Sequence, residues 1–214
     1  MLFFSFVQTS LAQEVEIEVD AEDREKAIRL TDQGISQMER GNYPAAIRDI
    51  EDAIAIDSTF HPAYINLYSA YSNTQGDKSK LIRLLEKGSR IFREDDELTY
   101  YLGYVYYENN NLEKAIALFS EAIRYSKING EDFPLVYAYH FNRGNAHLKL
   151  KRYQKSVDDF SYALKLNPGH PDILVNRGIS YYRLGKKNQA CQDWRKSVKE
   201  GSDAATKYIN QFCK

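Results

Sequence analysis

Histidines and paired carboxylates are the side chains of this 214-residue chain that could carry acid–base or metal chemistry. His140 and His147 are seven residues apart and could share one face of a helix, but both fall at inter-helix packing positions, which favours buried core histidines over metal ligands. Two adjacent carboxylate pairs are typical of solvated helix faces: Glu51-Asp52 and Asp158-Asp159. There is no glycine-rich phosphate loop, no nucleophile elbow and no histidine pair at metal-binding spacing. We therefore predict no catalytic residue, no metal and no cofactor.

Cys191 and Cys213 are the two cysteines of the chain. Helical patterns lie on both sides of a turn at Gly201-Ser202, and an antiparallel hairpin about this turn would place the two cysteines at the same level. The equal spacing of the two cysteines from the turn does not show whether their side chains face each other. Two cysteines in an exported chain usually pair, and closing this loop would stabilise the fold by about 3 kcal/mol. Two independent buried thiols are the alternative.

Charge is distributed unevenly along the chain, although the formal net charge is only −1. Residues 13–136 contain 24 acidic and 14 basic side chains, whereas residues 137–214 contain 6 acidic and 15 basic ones. The basic part could steer an acidic partner to the C-terminal end. A solvated surface without such a role is the alternative. The pI of about 6.4, together with export, argues against a nucleic-acid partner.

A 34-residue helix-turn-helix pattern fills residues 137–170. Gly144 and Ala163 are small, and the large apolar positions are Tyr153, Phe160 and Leu164. Similar windows recur along the chain, and this window resembles the tetratricopeptide repeat (TPR), a helix-turn-helix unit of the same length. The resemblance implies an all-α fold: a right-handed superhelical solenoid of TPR repeats with a C-terminal capping helix.

The resemblance covers five repeats, which we predict at residues 27–60, 61–95, 96–129, 137–170 and 171–204, followed by a capping helix over residues 203–214. Each regular repeat has a small residue at the same place in its first helix: Gly34, Gly103, Gly144 and Gly178. Repeat two is the least regular, because Tyr68 stands at the small position and Gly88 replaces the usual alanine. Its register is predicted to slip by one residue. A short insertion containing Pro134 follows repeat three.

In TPR proteins the first helices of successive repeats line a concave groove. The residues that the resemblance places there are Tyr100, Tyr104, Tyr107 and Glu108 in repeat three, Phe141, Asn145, Leu148 and Lys149 in repeat four, and Val175, Asn176, Ile179, Tyr182 and Arg183 in repeat five. An aromatic groove with a few polar groups suits the capture of a peptide. The alternative is that the tyrosines stack on each other and seal the inner face.

One subgroup of the family grips the C-terminal carboxylate of chaperones with two asparagines and a set of lysines and arginines. Asn145 and Asn176 match the two asparagines. Phe141 stands where a lysine is expected, and the other basic partners do not follow in this sequence. We therefore expect this chain to lack that specificity.

Residues 1–12 have an apolar run that is too short to span a bilayer, and the small residues Ser10 and Ala12 fit a signal-peptidase site with cleavage after Ala12. No Lys or Arg precedes the run, so a cytoplasmic protein is the alternative. Residues 13–26 form an acidic leader, in which Glu14 to Asp20 alternate acidic and aliphatic side chains. We predict that the leader is flexible and that the protein is periplasmic or secreted.

The sequence thus predicts a non-enzymatic scaffold that binds a protein or peptide in the concave TPR groove, with no transmembrane segment. The partner and the oligomeric state do not follow from the sequence. A small-molecule or glycan-binding protein that uses the same aromatic groove is the alternative function, because sugars also stack on exposed tyrosine rings.

Overall fold

The computed structural model describes residues 19–75, 77–130 and 135–214. In these ranges the chain forms eleven α-helices and no strand. The helices are α1 (Ala21–Glu39), α2 (Tyr43–Ile56), α3 (His61–Ser72), α4 (Ser79–Ile91), α5 (Asp96–Glu108), α6 (Leu112–Asn129), α7 (Val136–Lys149), α8 (Tyr153–Leu166), α9 (Pro171–Arg183), α10 (Lys187–Lys199) and α11 (Thr206–Phe212), with a short 3-10 turn at Asp203–Ala205 before α11. The predicted signal peptide, residues 13–18 of the leader, Gly76 and the insertion residues 131–134 lie outside the described residues.

Ten helices form five successive hairpins, and each hairpin packs on the next, which is the arrangement of a helical solenoid. The first helix begins at Ala21, so the last six residues assigned to the acidic leader are helical. Asp20 accepts a hydrogen bond from the Glu22 amide, and Glu22 and Asp23 lie in the first turn, where negative charge is stabilised by the helix dipole. The prediction of a flexible leader is therefore wrong for residues 21–26.

A left-handed residue ends the first helix of four of the hairpins. Its φ is +74° at Gly41, +58° at Asn110, +58° at Lys151 and +76° at Gly185. Glycine and asparagine adopt this conformation at little cost, whereas lysine does so less readily. The turn geometry is therefore repeated even where the residue type is not.

The two helices of a regular repeat approach closely at the small residue of the first helix. A Cβ added to Gly144 would lie 2.7 Å from a ring carbon of Phe160, and one added to Gly103 would lie 3.0 Å from the Phe119 ring. The same relation holds between Gly34 and Ile50. The small residue is thus needed because a large residue of the second helix packs directly on the backbone of the first.

Replacing Gly144 with alanine is expected to lower the free energy of unfolding by about 1–3 kcal/mol, because the added methyl group displaces the buried Phe160 ring. Urea denaturation measures the effect. The second substitution Phe160→Leu should recover part of the loss by making room for the methyl group. If Gly144→Ala instead stabilised the protein, as alanine does in an unhindered helix, the close packing described here would be wrong.

Repeat two departs from this pattern in the way that the sequence predicts. The buried residues of α4 are Leu81, Leu85 and Gly88, which are one residue later than the spacing of the other repeats requires. The Tyr68 ring stacks on Tyr101 of the next repeat, with 4.2 Å between the centroids.

The C-terminal cap consists of the 3-10 turn and α11, so it is a shorter helix than predicted. Cys191 of α10 and Cys213 are joined by a disulfide, with 5.7 Å between their Cα atoms. Tyr208 stacks on Trp194 at 5.0 Å, and Phe212 packs against Tyr182 at 4.3 Å. The cap therefore covers the apolar end of the last repeat.

Candidate ligand-binding groove

The first helices of repeats two to five, α3, α5, α7 and α9, lie side by side and form one continuous surface. In its first half the surface carries a row of tyrosine rings. The rings of Tyr104 and Tyr68 are perpendicular, with 6.3 Å between their centroids. The centroid of the Tyr107 ring lies 6.0 Å from that of Tyr104. Burial, together with Glu108 and Tyr107, raises the pKa of Tyr104. Its phenol therefore stays neutral and can donate a hydrogen bond.

Tyr100 departs from the predicted groove set, because only 7% of its surface is exposed. Its ring lies 4.7 Å from that of Tyr139 and 5.8 Å from that of Phe119. Its hydroxyl accepts a hydrogen bond of 2.9 Å from the Asn142 side chain. Tyr100 is therefore a packing residue between repeats, and Val175, which is buried to the same degree, is another.

The second half of the surface is more polar. Lys149 places its Nζ atom 3.8 Å from the centroid of the Tyr107 ring, so the first and second halves meet at a cation–π contact. The Asn176 side chain donates to the Asn145 Oδ1 atom over 2.8 Å. The two asparagines thus pair with each other. Phe141 is half-buried and packs near Phe160 and His170.

A pocket lies at the C-terminal end of the groove, between α9 and the cap. Its volume is about 320 Å³. It is lined by Ile179, Tyr182, Arg183, Trp194, Tyr208, Gln211 and Phe212. Three of these residues, Ile179, Tyr182 and Arg183, were predicted from the sequence to face the groove. The four others come from α10 and α11, whose contribution the repeat pattern of the first helices does not reveal.

Within repeat four, and again within repeat five, an arginine of the first helix forms an ion pair with a buried aspartate of the second helix. The sequence analysis missed both pairs. Arg143 of α7 binds Asp159 of α8 through two nitrogens, and its third nitrogen donates to Ser120 of the preceding repeat over 3.0 Å. Arg177 and Asp193 repeat this arrangement exactly 34 residues later, with Ser161 as the partner in the preceding repeat. The spacing of the two Arg–Asp pairs was the signal that could have found them.

The prediction that Asp158-Asp159 is a solvated face is wrong for Asp159, which is 5% exposed. Burial disfavours its charge, but His140 and the Arg143 guanidinium outweigh that effect and hold the pKa of Asp159 below its usual value. Glu51 is also not simply solvated, since it pairs with Lys80 and accepts a hydrogen bond from the Tyr71 hydroxyl. Asp52 and Asp158 are exposed, as expected.

His140 and His147 are buried between helices, as predicted. The His140 Nδ1 atom lies 3.6 Å from Asp159, and its ring stacks on Tyr162 at 4.2 Å. Burial lowers the pKa of His147, whereas the hydrogen bond with Asp95 raises the pKa of His61. Within the described ranges, no group of three or more His, Cys, Asp or Glu side chains is placed to hold a metal ion.

Sequence profiles of the tetratricopeptide repeat match residues 97–129, 137–170 and 172–200. The chain belongs to the tetratricopeptide repeat family. The matched segments coincide with repeats three, four and five of the structure. None of the helices in the described part of this TPR protein is long and apolar enough to cross a membrane.

Curated relatives are similar to parts of this TPR protein. It is 30% identical over 112 residues to the Hsp70-Hsp90 organising protein of Plasmodium falciparum, a match that covers 49% of this chain and 19% of that protein. It is 32% identical over 95 residues to sperm-associated antigen 1 of Mus musculus, which covers 44% of this chain and 10% of that protein. The chain thus matches only a small share of these longer proteins.

Solved structures share the fold over most of the TPR protein. The structure of MamA has a TM-score of 0.71 at 18% identity and covers 85% of this chain and 95% of that chain. The structure of pilF of Pseudomonas aeruginosa has a TM-score of 0.69 at 19% identity and covers 86% of this chain and 81% of that chain. At these identities the similarity shows the solenoid fold alone.

Proposed function

We propose that this protein is a non-enzymatic interaction scaffold that holds a protein or peptide in its concave groove. Membership of the TPR family supports the general role of binding protein partners. The observation that carries the groove assignment is the continuous surface of α3, α5, α7 and α9, on which half-buried Tyr104, Tyr107 and Tyr182 alternate with polar side chains. Tyrosine buries a large area at low entropy cost and is common at peptide interfaces.

The alternative, stacking of a glycan on the groove, is less well supported. A sugar needs the open face of an aromatic ring. The Tyr68 and Tyr101 rings stack on each other, and the Tyr107 ring already lies under Lys149. Peptide side chains can still contact the edges and the hydroxyl groups of these tyrosines.

The double substitution Tyr104→Ala and Tyr107→Ala is expected to reduce partner recovery from an extract of the source cells at least tenfold, because it removes two neighbouring aromatic contacts. Quantitative mass spectrometry of proteins retained by immobilised protein measures the effect. Tyr153→Ala, which removes a half-exposed ring from the second helix of repeat four, is the matched control. Equal recovery by all three proteins would place the binding site outside the groove.

We also propose that the protein is exported. The Cys191–Cys213 disulfide supports this, because such bonds persist in oxidising compartments. The apolar run and the small residues Ser10 and Ala12 are consistent with it. The intact mass of the protein from its source should correspond to a chain starting at Gln13 with both thiols oxidised. A cytoplasmic protein with free thiols would contradict export.

A further inference from the structure

We infer that the pocket between α9 and the cap receives one apolar side chain from an acidic peptide segment, whose carboxylates pair with Arg183. This inference rests on the proposed function and identifies the chemistry of the partner at the C-terminal end of the groove. It concerns the pocket lined by Ile179, Tyr182, Trp194 and Phe212, which we call the cap pocket.

Five of the seven residues that line the cap pocket are aliphatic or aromatic, and the aromatic walls are fixed in place. Trp194 is buried, its indole N–H donates to the Val175 carbonyl over 3.2 Å, and Tyr208 stacks against its ring. Phe212 directly precedes Cys213 and is thus held by the disulfide. A preformed apolar pocket of about 320 Å³ lies at the small end of the range for ligand sites, which suits a single side chain.

The charge at the rim decides which residues should flank that side chain. Arg183 is exposed and has no ion pair or hydrogen bond with any residue in the described ranges. No carboxylate lines the cap pocket. Lys149, further along the groove, makes a cation–π contact with the Tyr107 ring and has no ion pair among the described residues. An apolar residue next to aspartate or glutamate would therefore find both a pocket and a counter-charge.

The other end of the groove does not offer the same combination. There Glu108 is already paired with Lys78, and the hydroxyl of Tyr101 donates to Glu97. The excess of basic residues beyond residue 136 adds a longer-range attraction for an acidic segment. The charges of the surface therefore favour binding of an acidic segment at the C-terminal end of the groove.

Fluorescence anisotropy with labelled heptapeptides tests the inference on the full chain. One peptide has a central phenylalanine between glutamates, a second replaces the glutamates with lysines, and a third replaces the phenylalanine with serine. We expect saturable binding of the first peptide and at least tenfold weaker binding of the other two. Arg183→Glu should weaken the first peptide at least tenfold and strengthen the lysine peptide. Ile179→Trp, which fills the cap pocket, should remove the advantage of phenylalanine over serine.

Lys199→Glu is the matched control, because it makes the same change of charge at an exposed residue of the same repeat outside the cap pocket. If Lys199→Glu weakened binding as much as Arg183→Glu, the attraction would be non-specific and the inference would fail. Equal binding of the phenylalanine and serine peptides would also overturn it. Neither result would affect the loss of partner expected for Tyr104→Ala with Tyr107→Ala, so the proposed function is tested separately.

Self-association through the cap pocket would also contradict the inference. It would appear in light scattering, without any peptide, as a larger mass that Ile179→Trp abolishes.

Discussion

Asp159→Ala is expected to lower the free energy of unfolding by about 3–5 kcal/mol, because it leaves the Arg143 guanidinium without its carboxylate in a largely buried site. Circular dichroism during urea denaturation measures the change. Asp158→Ala removes the same charge from the exposed neighbouring position and should change the free energy by no more than about 0.5 kcal/mol. Similar effects of the two substitutions would show that Asp159 contributes no more than a surface charge.

Repeat three suggests a pair of substitutions that should recover the stability lost in Asp159→Ala. In repeat three, the positions equivalent to Arg143 and Asp159 are occupied by the buried residues Leu102 and Leu118. Replacing a buried ion pair with well-packed apolar residues is often neutral. We therefore expect Arg143→Leu combined with Asp159→Leu to be more stable than Asp159→Ala, although His140 then loses a polar neighbour.

The Asp159 contribution should also depend on pH. Its folded-state pKa lies below the ordinary value of about 3.9, so the stabilisation is present above that pH. It should be lost as the pH falls through the folded-state pKa. The difference between the parent protein and Asp159→Ala should consequently shrink in acid and be largest near neutral pH.

Reduction of the Cys191–Cys213 disulfide is expected to destabilise the C-terminal repeat by about 3 kcal/mol. The bond closes a loop across a sequence separation of 22, and opening it restores conformational freedom to the unfolded chain. Hydrogen exchange by mass spectrometry should show faster exchange in α11 and the end of α10, with little change in α5. This local effect is expected because each repeat contacts only its neighbours.

The variant Cys191→Ala with Cys213→Ser provides the control for reduction. It should resemble the reduced protein in its exchange pattern and should not respond to reductant. An unchanged exchange rate in α11 after complete reduction would mean that packing of Tyr208 and Phe212 alone holds the cap.

The sequence predicted the features that depend on local spacing. The five helical hairpins, the close approach at Gly144 and the register slip in repeat two follow from a pattern of small and large residues that recurs along the chain. The count across the Gly201-Ser202 turn placed the two cysteines at the same level, and the structure joins them.

The features that escaped prediction depend on contacts between repeats. Tyr100 occupies a groove position in its own repeat, yet Tyr139 and Asn142 of the next repeat enclose it. Asp159 reads as a surface charge until its partner, Arg143 of the neighbouring helix, is known. The cap pocket escaped for the same reason, since α10 and α11 supply four of its seven lining residues.

The Arg–Asp–Ser connections described above run without a break from α6 to α10. Ser120, Arg143 and Asp159 connect α6, α7 and α8, and Ser161, Arg177 and Asp193 connect α8, α9 and α10. The first helices of repeats four and five are therefore held in place by polar contacts to both neighbouring helices as well as by apolar packing. A partner bound along α5, α7 and α9 would meet a surface that is already ordered, so little conformational entropy is lost on binding.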